Sequence, residues 1–281
     1  MGEFIDIERY TMKLVKKIGK AFAVAFSIYS KIPMPRFNWE SEDMKYHLCF
    51  FPWVGAVIGL VEAGWYQLCI WKGIATFPFV MVAMAIPLLI TGGFHVDGFM
   101  DTCDALHSYQ DREKKLEILK DPHIGAFAVI CLALYMLLAA GASSLVYEGL
   151  ATGTFLESKG LREVLVLSLG FVLSRALSGL SVVCMQGAKK KGMLQTASDT
   201  AGKKTVRFFL LLQAVLCGGA MLFCNPILGG VTVGMSFLTF AYYAYMSKKQ
   251  FGGITGDLAG YFVTMAELMQ LVGAAVYFLV M

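Results

Sequence analysis

Asp97, Asp101 and Asp104 recur at i, i+4 and i+7 within TGGFHVDGFMDTCDALHSYQDREKKLEILKDPHIG, residues 91–125. Each residue turns an α-helix by about 100°, so the three would fall within roughly 60° of one another and share a face. Carboxylates stacked this way repel and raise one another's pKa unless something cationic sits among them. No basic residue follows them until Arg112. A hard divalent cation, Mg2+ or Mn2+, fits oxygen-only ligands, and Mg2+ sites use one or two carboxylates with substrate phosphates completing the shell. Gly92, Gly93 and Gly98 flank the acids and leave room for a phosphate ester to approach the backbone.

A second acidic position is Asp257, which follows Gly252, Gly253 and Gly256 in SKKQFGGITGDL, residues 247–258. A carboxylate at a helix start beside glycines could be a second metal ligand or a ribose contact, or belong to an ordinary turn between helices. Glu62, Arg175 and Glu267 are ionisable residues inside apolar runs, where such groups face a cavity or a partner. Arg175 suits a phosphate, because a guanidinium binds two oxygens in a fork, and suits an intramembrane ion pair equally well. His95, two residues before Asp97, could donate to a phosphate. His123 and Gly125 lie in DPHIG, where Pro122 favours a helix start whose positive end could face an anion. Lys189, Lys190 and Lys191 read as an orientation signal at the lipid surface. None of the seven cysteines forms a CxxC pair, and Cys103, between acids, reads as a packing residue.

The elements that must position these residues are membrane helices. The 281 residues are 57% hydrophobic and 16% charged, with mean hydropathy +0.64, outside the balance of soluble domains. Seven spans are expected at about 49–70, 76–94, 124–147, 163–185, 206–224, 227–246 and 259–281. Residues 1–20 pattern as an amphipathic helix for an anionic lipid surface, and residues 21–32, stopped by Pro33 and Pro35, as an interfacial or re-entrant piece. With the N-terminus in the cytoplasm, twenty Lys and Arg fall on that side and three on the other, and the acidic stretch lies with the twenty. The expectation is an all-α polytopic bundle, one domain over 1–281, with 1–48 as its N-terminal segment and 49–281 as the spans. A net charge of +4 without a basic aromatic stripe argues against nucleic-acid binding. Acids clustered at one mouth, with no internal repeat, argue against a cation-coupled transporter.

These residues resemble the cobalamin synthase family, the adenosylcobinamide-GDP ribazoletransferases. The resemblance runs through FSIYSKIPMP (26–35), GGFHVDGFMDTCDAL (92–106), DREKKLEILKDPHIGAF (111–127), Arg175 and GGITGDLAG (252–260). It departs from the family's HLDGLADTxDG and KDxxxGAFG patterns at Val96, Phe99, Met100, Leu106, where a glycine is usual, and Ala128, none of which removes a carboxylate. The resemblance implies a Mg2+-dependent inner-membrane enzyme, active site towards the cytoplasm, that joins adenosylcobinamide-GDP to α-ribazole or its 5′-phosphate and releases GMP. It implies Asp97, Asp101, Asp104 and Asp257 as metal-binding acids, with Arg175, His95, Gly98, His123, Gly125 and Gly253 around the substrates. Oligomerisation is compatible with this reading. The acidic motif is also similar in style to that of CDP-alcohol phosphotransferases, the alternative enzyme class.

Overall fold

A computed structural model describes residues 2–40, 42–151, 159–188 and 201–281. Lys189, Lys190 and Lys191 lie outside the described residues. The described chain is an all-α bundle: α1 (Gly2–Tyr29), α2 (Phe51–Lys72), α3 (Thr76–Thr91), α4 (Phe94–His107), α5 (Arg112–Ile118), α6 (Ala126–Ala151), α7 (Lys159–Cys184), α8 (Lys203–Cys224), α9 (Pro226–Met246) and α10 (Gly256–Val280). A 3₁₀ stretch, Asp43–Phe50, leads into α2, and a π-helical turn, Ser247–Phe251, extends α9.

Among the described residues six helical stretches are long and apolar enough to cross a membrane. The expected second span is different. α3 ends at Thr91, and Gly92 and Gly93 both take positive φ (66° and 77°), the left-handed region that glycine enters without a Cβ clash. The chain turns 94° there, so α3 and α4 form a bent pair, a seventh crossing if the two make one broken span and a re-entrant loop otherwise. The N-terminal expectation also changes. The amphipathic and apolar pieces form one helix, α1, which stops at Tyr29 shortly before Pro33 and Pro35.

α7 is the most enclosed span, with 78% of its apolar window inside the protein against 17% for α6 and 22% for α8. It packs on α2, α8 and α10, and α10 also packs on α4, α6 and α9. Exposed Leu134, Leu137 and Leu138 on α6 and Leu211, Val215 and Leu216 on α8 form an apolar outer face that suits hydrocarbon rather than water. Between spans, where lipid is as apolar as the partner helix, small residues let backbones approach. A Cβ on Gly59 of α2 would sit 2.5 Å from the Ser168 carbonyl oxygen of α7, and Ser168 Oγ donates to the Gly59 carbonyl at 3.0 Å.

Gly59→Leu should separate α2 from α7. Overpacking of this kind costs about 1–3 kcal/mol or more. The expected outcome is a clearly lower unfolding temperature in detergent, whereas Gly64→Leu, with open space around its Cα, should unfold near the wild-type temperature.

Candidate active site

α4 holds Asp97, Asp101 and Asp104 on one helix, as their spacing requires. Gly98 brings the fourth acid to them. A Cβ there would lie 2.6 Å from the Asp257 carbonyl oxygen and 2.9 Å from its Cα, so the first turn of α10 rests directly on α4. Gly260, one turn further along α10, makes the matching approach to the His95 backbone. Thr255 caps α10 by accepting from the Leu258 N–H at 3.2 Å, and its hydroxyl donates to Asp257 Oδ2 at 3.3 Å. The acids feel one another: burial, then Asp97, Asp257 and Asp104, push the Asp101 carboxyl up to about 6.

Asp104 has a partner that sequence spacing could not reveal. Its Oδ2 accepts from the Gly125 N–H at 2.7 Å and its Oδ1 from the Ala128 N–H at 2.8 Å. The positive end of α6 does face an anion, and that anion is Asp104 itself. Gly125 must be glycine because a Cβ would lie 2.5–2.6 Å from the Asp104 oxygens. His123 is on the outside of this loop, with its side chain 89% exposed and its Nδ1 2.6 Å from Asp121 Oδ1. Hydrogen bonds from the His123 backbone and ring hold the Asp121 carboxyl below its usual range.

Arg175 takes the ion-pair alternative. It is 1% exposed and pairs through Nη1 with Glu267, while also donating to the Phe171 carbonyl at 2.9 Å. Ser174 Oγ donates to the same Glu267 oxygen at 3.0 Å. The guanidinium therefore ties α7 to α10 inside the bundle instead of presenting a fork to the cleft. Burial, with Arg175 nearby, lowers His95 well below the usual histidine range. Gly253 packs on the segment after α7, where Ile254 N–H donates to the Gln186 carbonyl at 2.9 Å and Ala188 N–H to the Ile254 carbonyl at 2.8 Å. On the other flank, buried Lys115 of α5 donates to Gln250 Oε1 at 2.6 Å.

An open cleft of about 560 Å3 flanks Asp97 and is lined by Lys31, Ser27, Ser30, Thr91 and Met136. The sequence reading had not singled out Lys31. Its N–H donates to the Ile90 carbonyl at 2.8 Å, and its stem crosses Gly92, where any side chain would collide with it. The sequence signal is a cation directly after an apolar helix and two residues before Pro33.

As a metal site, the donor chemistry fits a hard cation, since the set is all carboxylate and Asp101 is held under like-charge repulsion that positive charge relieves. It is not a finished cage. Among the described residues no three His, Cys, Asp or Glu side chains are placed together as ligands.

The family described as cobalamin-5-phosphate synthase matches residues 21–275. The adenosylcobinamide-GDP ribazoletransferase of Lachnoclostridium phytofermentans is 42% identical over 246 residues, 88% of this chain and 89% of that protein. The protein of the same name from Clostridium botulinum strain Alaska E43 is 29% identical over 266 residues, 94% of this chain and 100% of its own. The one from Geobacillus kaustophilus is 28% identical over 267 residues, 90% of this chain and 94% of its own. No solved structure matches the chain.

Asp104 and Asp97 should separate on stability. Asp104→Asn turns one acceptor into a donor facing a backbone N–H, and a hydrogen bond to a charged group contributes about 1.5–3 kcal/mol. Its unfolding temperature in metal-free detergent should fall, whereas Asp97→Asn removes only repulsion and should leave the temperature level or raise it.

Proposed function

The chain belongs to the cobalamin-5-phosphate synthase family, and from that membership and the acidic face of α4 we propose that it joins adenosylcobinamide-GDP to α-ribazole, or to α-ribazole 5′-phosphate, with release of GMP. The observation that carries this reading is the meeting of Asp257 with Asp97 and Asp101 across Gly98, beside an open cleft that also exposes Lys31.

The reaction exchanges a phosphoanhydride bond for a phosphodiester bond. A ribose hydroxyl of the nucleoside attacks the cobinamide-side phosphorus, its proton passes to water at the open cleft, and the bond from that phosphorus to GMP breaks. Asp97, Asp101 and Asp257 would hold Mg2+, which when bound supplies the positive charge that a diphosphate needs as its bridging oxygen becomes a leaving group. Lys31, in the wall of the same cleft, would bind a non-bridging oxygen. Asp104 keeps α6 docked on α4, and the Arg175–Glu267 pair keeps α7 on α10, so both act on position. Among the described residues no side chain near the acids is an activated nucleophile, and Cys103, between Asp101 and Asp104 in sequence, is buried. The transfer is therefore a single displacement with inversion at phosphorus. The division of basic residues supports an orientation with this face towards the cytoplasm, where nucleotides are available.

Purified protein in lipid vesicles should convert adenosylcobinamide-GDP and α-ribazole to the joined product with one GMP per turnover, and should leave CDP-alcohols unchanged. Chelation of divalent cations should stop turnover and Mg2+ restore it. Asp97→Asn and Asp257→Asn should each lower kcat by roughly 10²–10³-fold, the scale of losing one electrostatic contact to a transition state. Near-normal kcat in both variants would remove the acids from the chemistry.

A further inference from the structure

Beside the acidic face lies a second, smaller cavity, about 60 Å3 by the measure that gives the Asp97 cleft 560 Å3, and about 550 Å3 of empty space once its open mouth is counted. Its walls include Tyr29, His47, Phe51, Phe94, His95 and Gly256. It is aromatic on several sides: the His95 ring lies 5.6 Å from that of Phe51 and 5.5 Å from that of Phe94, centroid to centroid. Gly256 puts its edge one residue from Asp257, and Phe94 also lines the cleft that holds Asp97 and Lys31.

The polar groups in these walls are nearly all satisfied. His47 Nδ1 is 2.5 Å from the Met44 carbonyl oxygen, which fixes the proton on Nδ1 and leaves Nε2 to accept from the Tyr29 hydroxyl at 3.3 Å. The Ser178 hydroxyl reaches the Ala259 carbonyl at 3.5 Å. His95 is the exception. It is 5% exposed, yet its Nε2 has no hydrogen-bond partner among the described residues. A buried polar atom without a partner is costly, and such an atom in the wall of a cavity beside a reaction centre indicates a ligand that pairs with it.

We propose that this cavity receives the benzimidazole ring of α-ribazole and that His95 donates a hydrogen bond from Nε2 to the ring nitrogen that does not carry the ribose. This deepens the ribazole-transferase reading and rests on it. The match is one of chemical inventory. A benzimidazole nucleoside base is a flat apolar bicycle with one acceptor in its plane, and the cavity offers aromatic walls with one unmet polar atom. Guanine, the other base in the reaction, displays several donors and acceptors along its edges and would leave most of them unpaired here. With the base in this cavity, the ribose emerges at Gly256 and Asp257, and its hydroxyls face the phosphorus held at Asp97 and Asp101. The guanine end of the other substrate then belongs to the open side.

The test compares two nucleosides in wild-type protein and in His95→Phe: α-ribazole and its indole counterpart, in which a C–H replaces the ring acceptor. In wild type the indole nucleoside should show a KM raised roughly 10- to 100-fold, because it leaves the His95 donor buried and unpaired. In His95→Phe the two nucleosides should differ by less than about 3-fold, with the KM for adenosylcobinamide-GDP close to wild type. Equal KM values for the two nucleosides in wild type would overturn the proposal without any variant being needed. So would a His95→Phe protein that still discriminates between them, or one whose KM rises as much for adenosylcobinamide-GDP. A wild-type protein that transfers neither nucleoside would instead refute the ribazole-transferase reading itself.

Discussion

The arrangement depends on two helix backbones being allowed to touch. At Gly98 and Gly260 the absence of side chains lets the first turns of α10 lie directly against α4, and this contact brings Asp257 to Asp97 and Asp101. Chain distance alone separates these acids by more than 150 residues. Any Cβ at Gly98 would meet the Asp257 backbone, which cannot give way as the end of a flexible side chain can. The close approach fixes the spacing of the acids more firmly than any hydrogen bond among them would.

The other contacts of α4 hold it against its own repulsion. On one side Asp104 receives the N-terminal N–H groups of α6, so backbone dipoles offset part of the charge of one of the four acids. At its start the Gly92–Gly93 turn and the Lys31 stem fix how the chain leaves α3. Behind α10, the buried Arg175–Glu267 pair joins the two most enclosed helices. Breaking such a pair would leave a bare charge in the bundle, which is why a buried ion pair locks relative position even where it adds little net stability.

Much of this was legible in the sequence because lipid-facing spans are apolar around most of their circumference, and hydropathy reads that directly. The positions of six crossing stretches and the common face of the three aspartates followed from periods of 3.6 residues and lengths near 20. What was not legible depended on partners far away in the chain. Spacing groups Asp104 with Asp97 and Asp101, but the N–H groups of Gly125 and Ala128 give it a different task. Arg175 carries two equal meanings until Glu267 is seen beside it. The continuity of α1 and the sharp turn after α3 depend on local backbone choices to which hydropathy is blind. A single cation near a membrane surface is commonplace, so Lys31 gains significance only from the cleft it shares with Asp97.

A cluster of acids that repel one another is a local conflict in an otherwise consistent chain, and such conflicts collect where function needs them. The conflict cannot relax by helix movement, since α4 is held at Gly98, at Asp104 and at the glycine turn. It could relax by protonation, and the raised Asp101 is the sign of that pressure. A cation removes it more completely, because a single divalent charge among the acids answers all of them together and then attracts a diphosphate as well. The same rigidity explains the division of labour beside the cluster. A scaffold that keeps the acids in place can leave one nearby wall apolar with a single unmet hydrogen-bonding atom, and the other wall open and cationic. In the proposed displacement the attacking ribose hydroxyl and the departing GMP would then lie on opposite sides of the phosphorus.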